Sequence, residues 1–268
     1  LVTAVCVGAA LGASGCVFQS VSRNALGSPD VIGFTTGAAT GATAQIVLVG
    51  GGGLATSLAA VGAGLATAVV VYLLARRRRR TGGYRLVLIG IGVSGMLSAM
   101  TTILLARSDL DLASQAQVWL AGSLAARTWE HAGIGAIGVV VLVPVLAVFA
   151  RRLSVMEMGD DQAEGLGVAT ERTRLVVMLV GVVLAASAVA AAGPIAFVAL
   201  AAPQITRRLT GVAGVQVLAS ALVGSLLLVV ADLVSVNLPS RLAVPVGLVT
   251  GVIGGLYLLW VLSAKEDV

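Results

Sequence analysis

The sequence offers few residues that could carry out bond chemistry. His131 is the only histidine, and Cys6 and Cys16 are the only cysteines. One histidine without cysteine or acid neighbours in register does not hold a transition metal. The cysteines lack metal-ligand spacing and sit in an apolar block, where they read as small buried hydrophobes. The run Gly50–Gly53 is glycine-rich but lacks the Lys-Ser/Thr of a phosphate loop. It reads as a short turn, so any ATP chemistry belongs to another chain. No catalytic residue, metal ligand or cofactor of this chain is expected. His131 reads as an interfacial loop residue.

One polar stretch stands out, "VMEMGDDQAEGLGVATERTR" at 155–174, set in a chain that is 58% hydrophobic and only 11% charged. Soluble domains usually carry about 25% charged residues. Ser154 and Glu157 have capping-box spacing, which predicts a helix start there. Gly159 then breaks the chain, and Asp160 and Asp161 suit the positive end of a second short helix. Gly165 and Gly167 are placed to end it. Ala163, Leu166 and Val168 give it a small apolar face. Two short helices exceed what a connection of about 4–6 residues needs. The segment 151–173 reads either as a docking knob for a soluble partner or as a solvated loop on the protein's own surface.

The elements around it are long apolar blocks without polar stripes, each near the 20 residues that cross a bilayer core. Apolar spans are expected at 1–21, 33–50, 54–75, 86–106, 132–150, 174–192, 194–208, 215–235 and 244–263. The seventh is short and carries Pro194 and Pro203, so it reads as a broken or re-entrant helix. The fold class is all-α, a polytopic membrane protein with about nine spans visible in one transmembrane domain, 1–268. Alternate loops divide the 17 basic residues fourteen to three. The rich side carries Arg23, Arg76 to Arg80, Arg85, Arg151, Arg152, Arg172, Arg174, Arg207, Arg208 and Lys265. The poor side carries Arg107, Arg127 and Arg241. Positive loops stay in the cytoplasm, so 151–173 and the C-terminus are placed there, in a multi-pass protein of the cell membrane. The pentaarginine run is a topology anchor on anionic lipid rather than a nucleic-acid site.

Glycines at 37, 41, 90, 92, 95, 251 and 255 form small-xxx-small patterns that predict close helix packing. Asp232, within or near the outer end of its span, reads either as a functional acid, since an acid there is costly, or as a pair for Arg241 or a helix cap.

"GDDQAEGLGV" resembles the cytoplasmic loop signature of the FecCD-type permeases, membrane subunits of importers for iron-siderophores, haem and vitamin B12. "RNALGSPDVIGFTTGAATG" (23–41), "VWLAGSL" (118–124), "AGPIAFVALAAPQITRRLTG" (192–211) and "ADLVSVNLPSRLAVPVGLVTGVIGGLYLLWVL" (231–262) are similar to further family motifs, in family order. Departures are Ala25 for a proline, Gln204 for a histidine, Ala243 for a glutamate and Val236 near the place of an arginine.

The resemblance implies a ten-helix permease fold whose first helix is missing from this chain. It implies an ABC importer, with a second permease subunit in a homo- or heterodimer, two ATPase subunits holding ATP and magnesium, and an extracytoplasmic substrate-binding protein. Met158, Gly159, Asp160, Asp161, Ala163, Glu164, Gly165, Leu166 and Gly167 would form the ATPase-coupling loop. Arg23, Asn24, Leu26, Thr81 and Gly82 would lie near the cytoplasmic gate, the alternative being a helix cap and a tight turn, and Arg241 would meet the binding protein or be an ordinary interfacial arginine. The sequence looks nearer the ferric-siderophore branch than vitamin B12 or haem importers, with a wide, mostly apolar or hydroxyl-lined pathway. An ion-coupled secondary transporter would show intramembrane Asp, Glu or His placed for a relay and a clear inverted repeat. A scaffold or receptor subunit without transport would form no complex with an ATPase.

Overall fold

The computed structural model describes residues 1–50, 53–76, 83–125, 127–238 and 244–263. Thr81, Gly82 and Arg241 lie outside them. The described residues form helices and no strand. In chain order these are α1 Val2–Ser22, α2 Phe34–Ala44, α3 Leu54–Ala75, α4 Gly83–Arg107, α5 Leu110–Leu120, α6 Trp129–Glu157, α7 Asp160–Gly165, α8 Thr170–Ala192, α9 Val198–Thr210, α10 Val217–Asn237 and α11 Val246–Ser263. Six of them, α1, α3, α4, α6, α8 and α10, are long and apolar enough to cross a membrane. The expected span at 33–50 corresponds to α2 continued by a π-helical turn at Gln45–Val49, and that at 244–263 to α11. The expected span at 194–208 is the short helix α9, with Pro203 inside it.

Helix α1 is the axis of the fold. It packs against α6, α8, α9 and α10, and 83% of its apolar window is buried. Small residues allow this. A Cβ at Gly15 would lie 1.7 Å from the carbonyl oxygen of Ala199, and one at Gly12 would lie 2.1 Å from that of Ser220. Gly8 and Gly224 face each other, each within 2.4 Å of the other's carbonyl oxygen once a Cβ is added. Backbones that approach this closely gain dispersion contact, the main attraction between helices where lipid is as apolar as the side chains. The Ser14 hydroxyl adds a buried bond of 2.7 Å to the carbonyl of Gly181.

The expected glycine pattern divides in two. Gly37 and Gly41 on α2 do pack tightly against α3. Gly92 and Gly95 on α4, and Gly251 and Gly255 on α11, have open space where a Cβ would go.

Two connections between helices are short and bent. After α1, a 3-10 turn at Pro29–Ile32 and Gly33, at φ 76°, lead into α2. After α8, Gly193 at φ 79° and Phe197 at φ 67° lead into α9. A left-handed phenylalanine is strained, and Phe197 is held by its contact with Gly254, where a Cβ would lie 2.3 Å from that of Phe197. At the second break the Ala192 carbonyl, at the end of α8, accepts from Ser123 N at 2.9 Å, and Gly247 N of α11 bonds the Gly122 carbonyl at 3.3 Å.

Three local expectations are corrected. Ser154 and Glu157 do not start a helix. They lie in the last turn of α6, where the Ser154 hydroxyl donates to Ala150 O and accepts from Val215 N. The hydroxyl is thus spent on the helix behind it and on the α9–α10 connection, and 158–169 alone separates α6 from α8. His131 is not in a loop. It is the third residue of α6, and its Nδ1 meets the Thr128 hydroxyl at 2.9 Å, a helix-start cap with histidine in the usual Glu position. Helix α5 is absent from the expected spans, because Asp109, Asp111 and its glutamines interrupt the apolar pattern.

Candidate functional site: the short-helix ion cluster and the cavity at the helix breaks

Helix α7 is made by its flanks. Gly159, at φ 128°, supplies the turn out of α6, and Asp160 and Asp161 occupy the positive first turn. Gly167, at φ 82°, closes the other end, with Val168 N bonded to Ala163 O at 2.9 Å. Ala163 is fully buried and anchors the helix from below. Glu164 accepts the Thr170 hydroxyl at 2.7 Å and so ties α7 to the start of α8. The outward side is formed by Asp161, Gly165 and Leu166, all exposed, with Met158 beside them. A Cβ at Gly165 would meet nothing within 4 Å.

Asp160 is the hub of the cluster. Arg174, in the first turns of α8, sends one guanidinium nitrogen to both carboxylate oxygens at 2.9 Å. The Arg174 side chain is only 4% exposed, and it also pairs with Glu171. Arg23, at the end of α1, reaches the same Asp160 carboxylate and donates through Nε to the Met156 carbonyl at 3.0 Å. Its own backbone is left-handed, at φ 49°. Burial pushes the Asp160 carboxyl up, but bonds and charge from Arg174 and then Arg23 outweigh this and hold it below the ordinary carboxylate range.

The family resemblance implies a gate position for Arg23 and a coupling-loop position for Asp160. The structure brings the two into one ion cluster. Asn24 caps the neighbouring turn, its Oδ1 accepting from Leu26 N at 2.9 Å, and Leu26 is half exposed. Further bonds close a ring at this end of the helices. Arg207 on α9 pairs with Glu157 on α6 at 3.1 Å. Gln204 donates to the Ala25 carbonyl, and Gln19 to that of Leu200 at 2.9 Å. Arg174, Arg207, Gln19 and Gln204 are not among the site residues expected from sequence. A basic residue one turn into a span beside an acidic loop is the available signal for Arg174.

A cavity of about 690 Å³ lies where the two helix breaks meet. Pro194, Ala196 and Phe197 line it from one break, and Asp30, Thr35 and Thr36 from the other. Gly251 of α11 and Ser94 of α4 complete its wall. Thr36 Oγ1 donates to Ser94 Oγ at 2.9 Å. Asp30 accepts from the Thr35 and Ser28 hydroxyls and has no ion pair among the described residues. The lining is mainly apolar, with hydroxyls and the carboxylate of Asp30. Asp232 lines a separate hollow with Ser123 and Ser235 near the opposite end. Among the described residues no group of three His, Cys, Asp or Glu could hold a metal ion.

The chain matches the FecCD transport family over residues 1–264. It is 46% identical over 266 residues to the ferric enterobactin transport system permease protein FepG of Escherichia coli (strain K12), covering 98% of this chain and 79% of that protein. It is 39% identical over 276 residues to the "Probable siderophore transport system permease protein YfhA" of Bacillus subtilis (strain 168), covering 100% of this chain and 80% of that protein. Its fold superposes with a TM-score of 0.89 on a solved chain described as an inward-facing conformation of a metal-chelate type ABC transporter, at 31% identity over 98% of this chain and 84% of that one. The chain belongs to the FecCD transport family, and it is an integral membrane permease subunit of an ABC importer.

Proposed function

We propose that this permease carries a ferric siderophore and that α7 is where a separate ATPase chain drives it. Support for the cargo comes from the relatives named for ferric enterobactin and siderophore transport, and from the wide hydroxyl-bearing cavity without a metal-ligand cluster among the described residues. A chelated metal brings its own ligands, so the wall needs shape and weak polar contacts rather than coordinating side chains.

The single observation that carries the coupling reading is the shared carboxylate of Asp160. An ATPase seated on Met158, Gly165 and Leu166 would move a helix that is tied to α8 through Arg174 and to the central helix α1 through Arg23. Displacement of α7 would therefore reach both α1 and the segment after it, Asn24 to Gly33, which leads to the cavity wall at Asp30 and Thr35. The coupling is as large as the difference in contact energy between the two states. Two ATPase subunits, one beneath each permease subunit, would bring ATP and magnesium; this chain would supply no catalytic group.

The open faces of Gly92, Gly95, Gly251 and Gly255 suit a second permease subunit. They lie on α4 and α11, the helices that contribute Ser94 and Gly251 to the cavity, so a partner there would enclose the cavity between two chains. An extracytoplasmic binding protein would deliver cargo at the end of the helices opposite α7; Arg241, outside the described residues, is the docking candidate from sequence. The arginine-rich end, with α7 and the C-terminus, would face the cytoplasm.

The test is uptake of radio-iron siderophore by proteoliposomes holding the permease, its ATPase and the binding protein. ATP-dependent uptake that fails without the ATPase supports the reading. Uptake driven by a proton or sodium gradient without ATP would overturn it.

A further inference from the structure

Between α3 and α8 lies a groove of about 230 Å³ that the transport reading does not use. Its floor is buried: Ile32 from the 3-10 turn, Ala68 of α3, and Met178 and Val182 of α8. Its rims are open, with Val69 at 49% and Leu179 at 50% exposure. Apart from the Tyr72 ring and the Met178 thioether the lining is aliphatic. Volumes of roughly 300–1,000 Å³ hold compact small molecules, so this narrower slot suits a single extended chain.

The register of both helices points the slot toward positive charge. On α3, Leu65, Val69 and Tyr72 form one stripe, and Arg76 follows Tyr72 by four residues. On α8, the stripe is Val183, Leu179 and Leu175, and Arg172 precedes Leu175 by three residues. The two arginines thus extend the two rims by one turn at the same end. Both are exposed, and neither has an ion-pair partner among the described residues. Tyr72 sits in the last turn of α3, one turn short of Arg76, and aromatic rings at span ends favour the boundary between hydrocarbon and headgroups.

We propose that this groove seats one acyl chain of an anionic phospholipid whose phosphate lies between Arg76 and Arg172. Basic pockets between helices at the membrane surface recognise anionic headgroups, and the guanidinium fork matches phosphate geometry. The bound chain would rest on Ile32, in the turn that joins α1 to α2. The inference needs only that α3 and α8 lie in a bilayer, so it stands or falls apart from the cargo and the ATPase.

The probe is phosphatidylglycerol, compared with phosphatidylcholine of the same chains, titrated into the delipidated permease and followed by native mass spectrometry. One phosphatidylglycerol should be retained per chain, in preference to phosphatidylcholine. The double variant Arg76→Gln, Arg172→Gln should bind phosphatidylglycerol roughly tenfold or more weakly. Leu179→Trp, which fills the slot from its open rim, should reduce retention of either lipid, whereas Leu222→Trp on α10 should not. Far-ultraviolet circular dichroism checks that each variant is folded, and a misfolded Leu179→Trp is replaced by Val69→Trp. Equal retention of the two lipids by the parent chain, unchanged retention in the arginine variant, or unchanged retention in the folded groove-filling variant would each overturn the proposal.

Discussion

One guanidinium nitrogen of Arg174 bonds both carboxylate oxygens of Asp160 at 2.9 Å, joining the six-residue helix α7 to the buried start of α8. Arg174 is nearly sealed from water. Removing its partner leaves a buried charge uncompensated, which destabilises more than the pair itself stabilises. Glu171 remains as a second acid, and Asp160 is 36% exposed, so the loss is moderated by solvent. Asp160→Asn is expected to lower stability by about 1–3 kcal/mol, read as a fall in melting temperature of the purified permease. An unchanged melting temperature would show that the carboxylate does not fasten α7.

The same pair fixes a pH dependence. The folded carboxyl of Asp160 is held below its ordinary value. Its contribution is therefore complete above the ordinary carboxylate range and is lost as pH falls through the lowered folded value. Unfolding followed from neutral to acid pH should show the difference between parent and Asp160→Asn shrinking only at the acid end. A difference that grew on acidification would contradict the assignment of the charge.

Gly165 and Leu166 should affect coupling and leave the fold intact. Gly165 has open space around it and Leu166 is 68% exposed. Replacing both by glutamate, in Gly165→Glu, Leu166→Glu, is expected to leave insertion and melting unchanged while uptake falls at least tenfold. Normal siderophore uptake in iron-starved cells carrying the variant would remove α7 from the coupling path.

Gly15 tests the central packing. A single methyl there would meet the Ala199 backbone at 1.7 Å, and backbone cannot swing aside as a side chain does. Gly15→Ala is expected to cost at least 1–3 kcal/mol (about what overpacking a core costs) and to lower the yield of monodisperse protein on size exclusion. Gly165→Ala is the matched control with no effect.

The open glycines give the dimer prediction. Gly95→Cys and Gly255→Cys should each form copper-catalysed disulfides with a second permease chain in membranes, whereas Leu222→Cys on α10 should not. Cross-linking only from α10 would move the subunit interface to the other side of the bundle.

Much of this architecture is legible in the sequence, for physical reasons that also explain the gaps. Span positions follow from hydropathy because every backbone group must be satisfied within its helix. What hydropathy does not separate is a helix buried in protein from one facing lipid, since both environments are apolar. Helix α1 therefore looks like any other span in the sequence, although it is the axis. Likewise Gly37 and Gly92 share a pattern, yet one packs against α3 and the other faces open space. Helix α7 is legible through Gly159, Asp160 and Gly167, whose turn and end preferences are local. The capping-box reading of Ser154 fails because a tertiary partner, Val215 N, engages its hydroxyl. The meeting of Arg23, Asp160 and Arg174 joins residues 137 and 14 positions apart, and no local rule spans the longer of those distances.

The central claim is that α7 is gripped by a separate motor chain. The direct measurement is photo-cross-linking from a probe on Leu166→Cys in the assembled importer, with Leu110→Cys, 89% exposed at the opposite end of the helices, as the counterpart. The account predicts adducts to the ATPase from position 166 and none from position 110. Adducts from 110 alone would contradict it.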